Sequence, residues 1–290
     1  MRVSATYALT MDVGGSHVTA ALVDMAARTV LQQARRDVPH TAPLGELLGC
    51  WVAAGLEALG DSTGPVGHIG IAVPSPFDHL AGVSGMEHKF SALLGRPLRL
   101  ELTLKLAGTP LEGVPIRFGN DADLFALGEW WAGAGRGSGR MIGLTLGTGL
   151  GSGFIDHGRV VTSGPEVPPG GELWSVPFRG ERSETFACGA ALPRLSLARG
   201  GEALTAHQLA QRAGTGDLAA LEVFQKFGMD LAEVLAPWVG RFQADRVVLG
   251  GNVSRAFDLF APALRAGLKG SEVMVTELSE TAGLLGAAEL

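Results

Sequence analysis

The sequence predicts an α/β protein made of two related halves that share a hinge and face one another across a cleft. Three observations carry this expectation. Short apolar runs typical of buried strands alternate with segments whose apolar residues recur at helical spacing. The same strand, glycine turn and returning strand open both halves, over residues 7–24 and again over 141–156, a weak internal duplication. No linker rich in Pro or Ser separates the halves.

Taken in order, residues 7–11 read as a strand, Asp12-Val13-Gly14-Gly15-Ser16 as its turn and 18–23 as the return. Residues 29–38 add a third strand, and 44–59 carry apolar residues at helical spacing. A strand over 68–73 is stopped by Pro74 and Pro76. Another over 114–118 feeds a helix over 121–132, which ends in a glycine-rich surface loop at 133–139. The pattern then restarts: a strand over 141–146, the turn Gly147-Thr148-Gly149-Leu150-Gly151, and a return over 153–156. Leu9-Thr10-Met11-Asp12 compares with Leu144-Thr145-Leu146-Gly147, and Val23-Asp24 with Ile155-Asp156. Helices follow over 185–199, 205–213 and 217–240. A strand over 246–249 closes on Gly250-Gly251, and helix 254–268, strand 272–278 and helix 281–289 complete the chain. The expected domains are 1–118 and 119–280, with a C-terminal helix over 281–290 packing back on the first.

Composition narrows the function classes. At 290 residues, 46% of them hydrophobic and 18% charged, the chain supports two globular cores. A net charge of −6 gives no electrostatic footprint for a nucleic-acid partner. The two cysteines, Cys50 and Cys188, lack metal-ligand spacing and read as buried free thiols of a reducing compartment, with a single disulfide as the alternative. No signal-peptide core and no apolar run of about 18 residues is present, so a cytoplasmic protein without a membrane partner is expected.

The glycine turns suggest chemistry. Backbone N–H groups in a tight turn can cradle phosphate without a Walker lysine motif. Gly14, Gly15 and Ser16 in the first half, and Gly147, Thr148 and Gly149 in the second, suit this, because glycine admits close approach and the hydroxyls donate. Either turn alone is as readily an ordinary hairpin; matched turns in both halves favour phosphate. Asp12 suits Mg²⁺, directly or through water. Gly250-Gly251-Asn252, between a strand and a helix, offers a seat for a nucleotide base or ribose. The glycine spacing and downstream acid of a dinucleotide-binding Rossmann site are missing, which sets a dehydrogenase aside.

Asn120-Asp121 falls where a strand ends and a helix begins. A helix N-terminus favours an ionised carboxylate, and Asp121 there can take the proton of a hydroxyl attacking phosphorus. Asn-Asp-Ala-Asp alone reads as well as a plain N-cap; its place just before the second hairpin favours the base. Glu172, after Gly170-Gly171, and Glu184 are acids suited to binding hydroxyls, or else solvated surface acids.

Together these motifs resemble the ROK family of repressors and sugar kinases over nearly the whole chain. The resemblance rests on Asp12-Val13-Gly14-Gly15-Ser16, Gly70-Ile71-Ala72-Val73-Pro74-Ser75-Pro76-Phe77-Asp78, Asn120-Asp121-Ala122-Asp123 and Ala126-Leu127-Gly128-Glu129. It continues through Gly133-Ala134-Gly135-Arg136-Gly137, Leu144-Thr145-Leu146-Gly147-Thr148-Gly149-Leu150-Gly151, Gly171-Glu172-Leu173, Leu249-Gly250-Gly251 and Ala282-Gly283-Leu284-Leu285-Gly286-Ala287-Ala288. It implies the two-domain actin/hexokinase-like (ribonuclease H-like) fold with an interdomain cleft, ATP and Mg²⁺, a sugar substrate and a homodimer. By resemblance Asp121 is the base and Asn120, Glu172 and Glu184 bind the sugar. Gly14-Gly15-Ser16 and Gly147-Thr148-Gly149 are the phosphate loops, and Gly250-Gly251 belongs to the nucleotide site.

Two departures stand out. The family pattern Gly-Glu-x-Gly-His followed by a zinc-binding cysteine cluster is here Gly171-Glu172-Leu173-Trp174-Ser175, with no cysteine from Ser175 to Glu184. No zinc is therefore expected, since a structural site takes about four N or S ligands, and Cys188 is expected as a small buried residue inside a helix. Ser16 and His17 replace the usual Thr and Lys. Among functions, a hexose kinase favouring glucose stands first. A kinase for an N-acetylated hexosamine or fructose and a sugar-binding regulator without efficient catalysis stand as alternatives. With Asp12 this near Met1, the DNA-binding module of the family's repressors is not expected.

Overall fold

The computed structural model describes residues 7–39, 41–87, 90–200 and 202–290. The chain divides into two compact units, one running to Ala132 and resuming at Glu280–Leu290, the other Gly133–Ser279.

In the first unit β1 (Tyr7–Val13), β2 (His17–Asp24) and β3 (Thr29–Asp37) form an antiparallel meander. Helix α1 (Leu44–Leu59) leads to β4 (Val66–Val73), parallel to β1. A small hairpin of β5 (Phe77–Asp78) and β6 (Val83–Ser84) precedes α2 (Leu98–Leu106). Then β7 (Ile116–Asn120) joins β4 in parallel and runs directly into α3 (Asp121–Ala132). The sheet order is β3-β2-β1-β4-β7. Leu47, Leu48 and Trp51 from α1 are fully buried with Leu9, Met11 and Ile71 of the sheet, the burial that apolar residues at helical spacing call for.

The second unit opens on β8 (Arg140–Leu146), β9 (Leu150–Asp156) and β10 (Arg159–Val160). A two-stranded hairpin, β11 (Pro177–Phe178) and β12 (Glu181–Arg182), is followed by α4 (Ala191–Ala198), α5 (Ala206–Gly214) and the long α6 (Leu218–Phe242). Parallel strands β13 (Arg246–Gly250) and β14 (Glu272–Val275) flank α7 (Phe257–Gly267). The sheet order β10-β9-β8-β13-β14 repeats that of the first unit, two antiparallel neighbours on one side and two parallel on the other. The duplication read from the glycine turns is thus a duplication of topology. Edge-to-face pairs Phe154–Phe242 and Phe227–Phe260, with centroids 5.2 and 5.3 Å apart, mark this core. Asp217 caps α6 by accepting from Ala219 N and Ala220 N at 2.9 and 3.2 Å.

The last helix, α8 (Ala282–Ala287), belongs to the first unit and packs on α3. The two backbones touch: a Cβ on Gly128 would lie 2.0 Å from the Ala282 carbonyl oxygen, and one on Gly286 1.8 Å from that of Leu124. Only glycine permits this approach. It places α3 with the first unit, so the division falls after Ala132 where sequence expected it after residue 118.

Two local expectations are corrected, and one unassigned element is added. The helix expected over 185–199 begins only at Ala191. Pro193 fits a first helical turn but would break a helix begun at 185. Cys188 therefore precedes that helix, although it is buried as expected. The stretch 133–139 is not simply a surface loop, since Gly133, Ala134 and Gly135 are buried. Helix α2, which the sequence reading left unassigned, buries Leu98, Leu102 and Leu106 at four-residue intervals. Cys50 and Cys188 are both free thiols.

Candidate active site

Two clusters of site residues form, one within each unit. In the first, the β1–β2 turn is closed by Gly14 N donating to His17 O at 2.9 Å, with Gly15 and Ser16 exposed at its tip. A Cβ at Gly15 would meet nothing within 4 Å. His17 packs its ring on Gly14 and bonds Ser16 Oγ through Nδ1 at 3.3 Å. Burial, then the Arg35 charge, lowers its pKa, so at neutral pH His17 does not supply the cation a lysine would.

Asp12 lies half-buried at the end of β1. Burial, with the negative charge of Asp121 as a second cause, pushes its pKa up to about 6. Asn120 ends β7 and caps α3: its Oδ1 accepts from Ala122 N at 2.9 Å and Asp123 N at 3.1 Å, and its Nδ2 donates to Ser75 Oγ at 3.0 Å. The cap that the sequence reading allowed for Asp121 is therefore filled by Asn120. Asp121 stands exposed in the first helical turn, with Oδ1 accepting from Ala122 N at 2.9 Å. Ser75 was not anticipated; only its place after the Val73-Pro74 strand stop hinted at a turn.

A divalent cation fits these carboxylates. Asp12 is half-buried and feels the negative charge of Asp121, and Mg²⁺ needs only one or two carboxylates besides phosphate oxygens and water.

In the second unit, Gly147 N donates to Gly149 O at 3.1 Å across the β8–β9 turn, and Thr148 is exposed at its tip. Gly189 N donates to Gly147 O at 2.8 Å, and a Cβ on Gly189 would lie 2.6 Å from that oxygen. Gly251, at φ +80°, meets Leu146 O so closely that its Cβ would be 2.6 Å away. Strand β13 thus delivers Gly250-Gly251 to the turn, and the segment before α4 delivers Gly189. The latter went unnoticed because the expected helix covered it.

Glu184 reaches the same turn. Its Oε2 accepts the Leu150 N–H at 2.9 Å and lies 2.6 Å from where a Gly149 Cβ would be. Glu172 accepts from Trp174 Nε1 at 3.0 Å. The backbone on either side of Glu172 is tied to β9 through Ser152 Oγ, which donates to Gly171 O at 2.6 Å and accepts from Leu173 N at 2.9 Å. Among the described residues no group of three or more His, Cys, Asp or Glu is arranged to hold a metal, and no helix is long and apolar enough to cross a membrane.

The arrangement has relatives. The chain is 29% identical to a glucokinase of Thermotoga maritima, over 97% of this chain and 95% of that one. The ROK hexokinase of Thermus thermophilus superposes with a TM-score of 0.77 at 26% identity, covering 98% of this chain and 97% of that one. A ROK family glucokinase from Streptomyces griseus, solved with glucose and AMPPNP, gives 0.75 at 23%, covering 98% of each chain. The ROK family model matches residues 8–290. With its doubled actin/hexokinase-like topology and the turns described above, the chain belongs to the ROK family.

Proposed function

We propose that the protein is an ATP-dependent hexose kinase that transfers the γ-phosphoryl group to a sugar hydroxyl, with glucose as the preferred acceptor. The observation that carries the reading is the division of labour at the head of α3. Asn120 caps the helix, which leaves Asp121 in its first turn as an exposed, anchored carboxylate.

Asp121 accepts the proton of the attacking hydroxyl as the O–P bond forms. The exposed tips at Gly15-Ser16 and Thr148 offer backbone amides and hydroxyls to phosphate oxygens. Magnesium bound with the nucleotide would be held by Asp12 and would neutralise charge on the phosphates. Glu172 and Glu184 accept from sugar hydroxyls and orient the ring. Glu184 keeps one oxygen on Leu150 N–H and has the other for the sugar. Gly250-Gly251 and Gly189, packed against the backbone of the second turn, would border the rest of the nucleotide.

Two acids suit a ring rich in hydroxyls, which favours glucose over an N-acetylated hexosamine. A coupled ADP-release assay across glucose, mannose, fructose, N-acetylglucosamine and N-acetylmannosamine tests the reading. Glucose should give the highest kcat/KM. Turnover of only an N-acetylated sugar moves the specificity, and turnover of none sinks the kinase.

A further inference from the structure

Glu172 and Glu184 are the two feet of a single excursion of the chain, whose base packs on the second core through Leu173, Val176 and Phe178 but whose own strand pairing is slight. Its hairpin pairs only Pro177 with Arg182 and Phe178 with Glu181. A two-stranded hairpin of this size is marginal by itself. At the base, Ser183 N donates to Val176 O at 2.8 Å and Ser183 Oγ donates to Leu173 O.

The tip is held from outside. Arg179, at φ +48° in the turn, donates through Nη1 to Asp230 Oδ1 at 2.6 Å and through Nη2 to Glu233. Asp230 sits in the middle of α6 with its side chain 2% exposed, an expensive place for a carboxylate unless it is paired. Lys226, one turn earlier on the same helix, already reaches the same oxygen. A local partner thus exists, and a second cation arrives from a distant segment. The guanidinium also lies over Phe178 and Phe186, 4.6 and 5.8 Å from their centroids. Phe186 packs edge-on against Phe178 at 5.1 Å and stands two residues after Glu184. On the other foot, Trp174 donates to Glu172 while Arg182 covers its ring at 5.2 Å.

We infer that Arg179 is a positioning residue for the sugar: its grip on Asp230 fixes the hairpin to α6 and so sets where Glu172 and Glu184 stand. The inference rests on the reading of those two acids as sugar ligands. An ion pair in this chain then does mechanically what a metal-bound loop would do. Because the acids hold the sugar in the ground state and the transition state alike, loosening them raises KM more than it lowers kcat.

The test uses the full chain carrying Arg179→Met, which keeps the stem, Asp230→Asn and Arg179→Lys. In the first two variants the KM for the sugar that supports ADP release should rise roughly tenfold or more, with kcat and the KM for ATP within about twofold of wild type. Amide exchange over 176–186 should accelerate by roughly tenfold while β1 is unaffected. Arg179→Lys should restore most of both. Unchanged exchange overturns the clamp, and faster exchange with an unchanged sugar KM overturns its positioning role. Equal losses in kcat and both KM values, with exchange faster throughout the second unit, reduce the pair to general stability and also overturn the inference. A wild-type chain that phosphorylates no sugar overturns the kinase reading alone, and exchange together with calorimetric glucose affinity then decides the clamp.

Discussion

Glu184 Oε2 accepts the amide proton of Leu150 at 2.9 Å, so an acid read as a sugar ligand is bonded to the turn read as a phosphate loop. This relationship has a sign that can be measured. A carboxylate beside a phosphate turn repels the donor while it attracts hydroxyls. Glu184→Gln keeps the shape and removes the charge. The sugar KM should rise roughly tenfold or more, while the KM for ATP should not rise. A raised ATP KM with an unchanged sugar KM would assign Glu184 to the donor end.

Asp121→Asn should lower kcat by roughly a hundredfold or more while sugar affinity, measured by calorimetry, stays near wild type. Asn120 keeps the cap in this variant, so α3 should stay formed and far-UV circular dichroism should be unchanged. Near-normal kcat would remove Asp121 from the base role.

Asp12 gives a pH prediction in the chain free of nucleotide and magnesium. Its folded pKa of about 6 lies above the ordinary 3.8, so the folded protein binds the proton more tightly than the unfolded chain does. The penalty for ionising it is absent below about pH 4, grows as pH rises, and is complete above about pH 6. Asp12→Asn should therefore be more stable than wild type at pH 7.5, by up to about 3 kcal/mol, and the difference should shrink as pH falls from about 6 to 4. Its turnover should be lost. Thermal midpoints that run parallel for the two proteins across that window would contradict the assignment.

Elemental analysis of the purified chain should find no stoichiometric zinc, and a zinc-selective chelator should leave activity intact when Mg²⁺ is in excess. Ser175 stands where the family's histidine would, and no cysteine lies between it and Glu184. About one zinc per chain, lost together with folding, would refute this.

The strands and glycine turns were legible because they are local. Apolar runs at 7–11 and 141–146 and the turns after them are written in consecutive residues, and both proved to be β-hairpins at the centre of a sheet. The strand-to-helix junction at Asn120-Asp121 was legible for the same reason. Which residue caps the helix was not, because that depends on how two adjacent side chains turn: Asn120 accepts from both Ala122 N and Asp123 N, Asp121 from Ala122 N alone. The bond from Glu184 to Leu150 and the grip of Arg179 on Asp230 join residues 34 and 51 positions apart. No periodicity encodes such pairings. The false helix start at 185 has another source: helical spacing was allowed to run through Pro193, which a count of hydrogen-bond donors would have stopped.

The backbone contact between α3 and α8 bears on how the protein is made. The helix headed by Asp121 finds its main partner, α8, in a segment synthesised after the whole of Gly133–Ser279. At a translation rate of roughly 5–20 residues per second, the ribosome leaves the α3 face bare for about ten to thirty seconds. During that interval the second unit, which is continuous in sequence, can fold by itself, while the first must wait. A nascent chain therefore completes its first unit last, and a stalled or prematurely ended one is left without the helix that packs on Gly128.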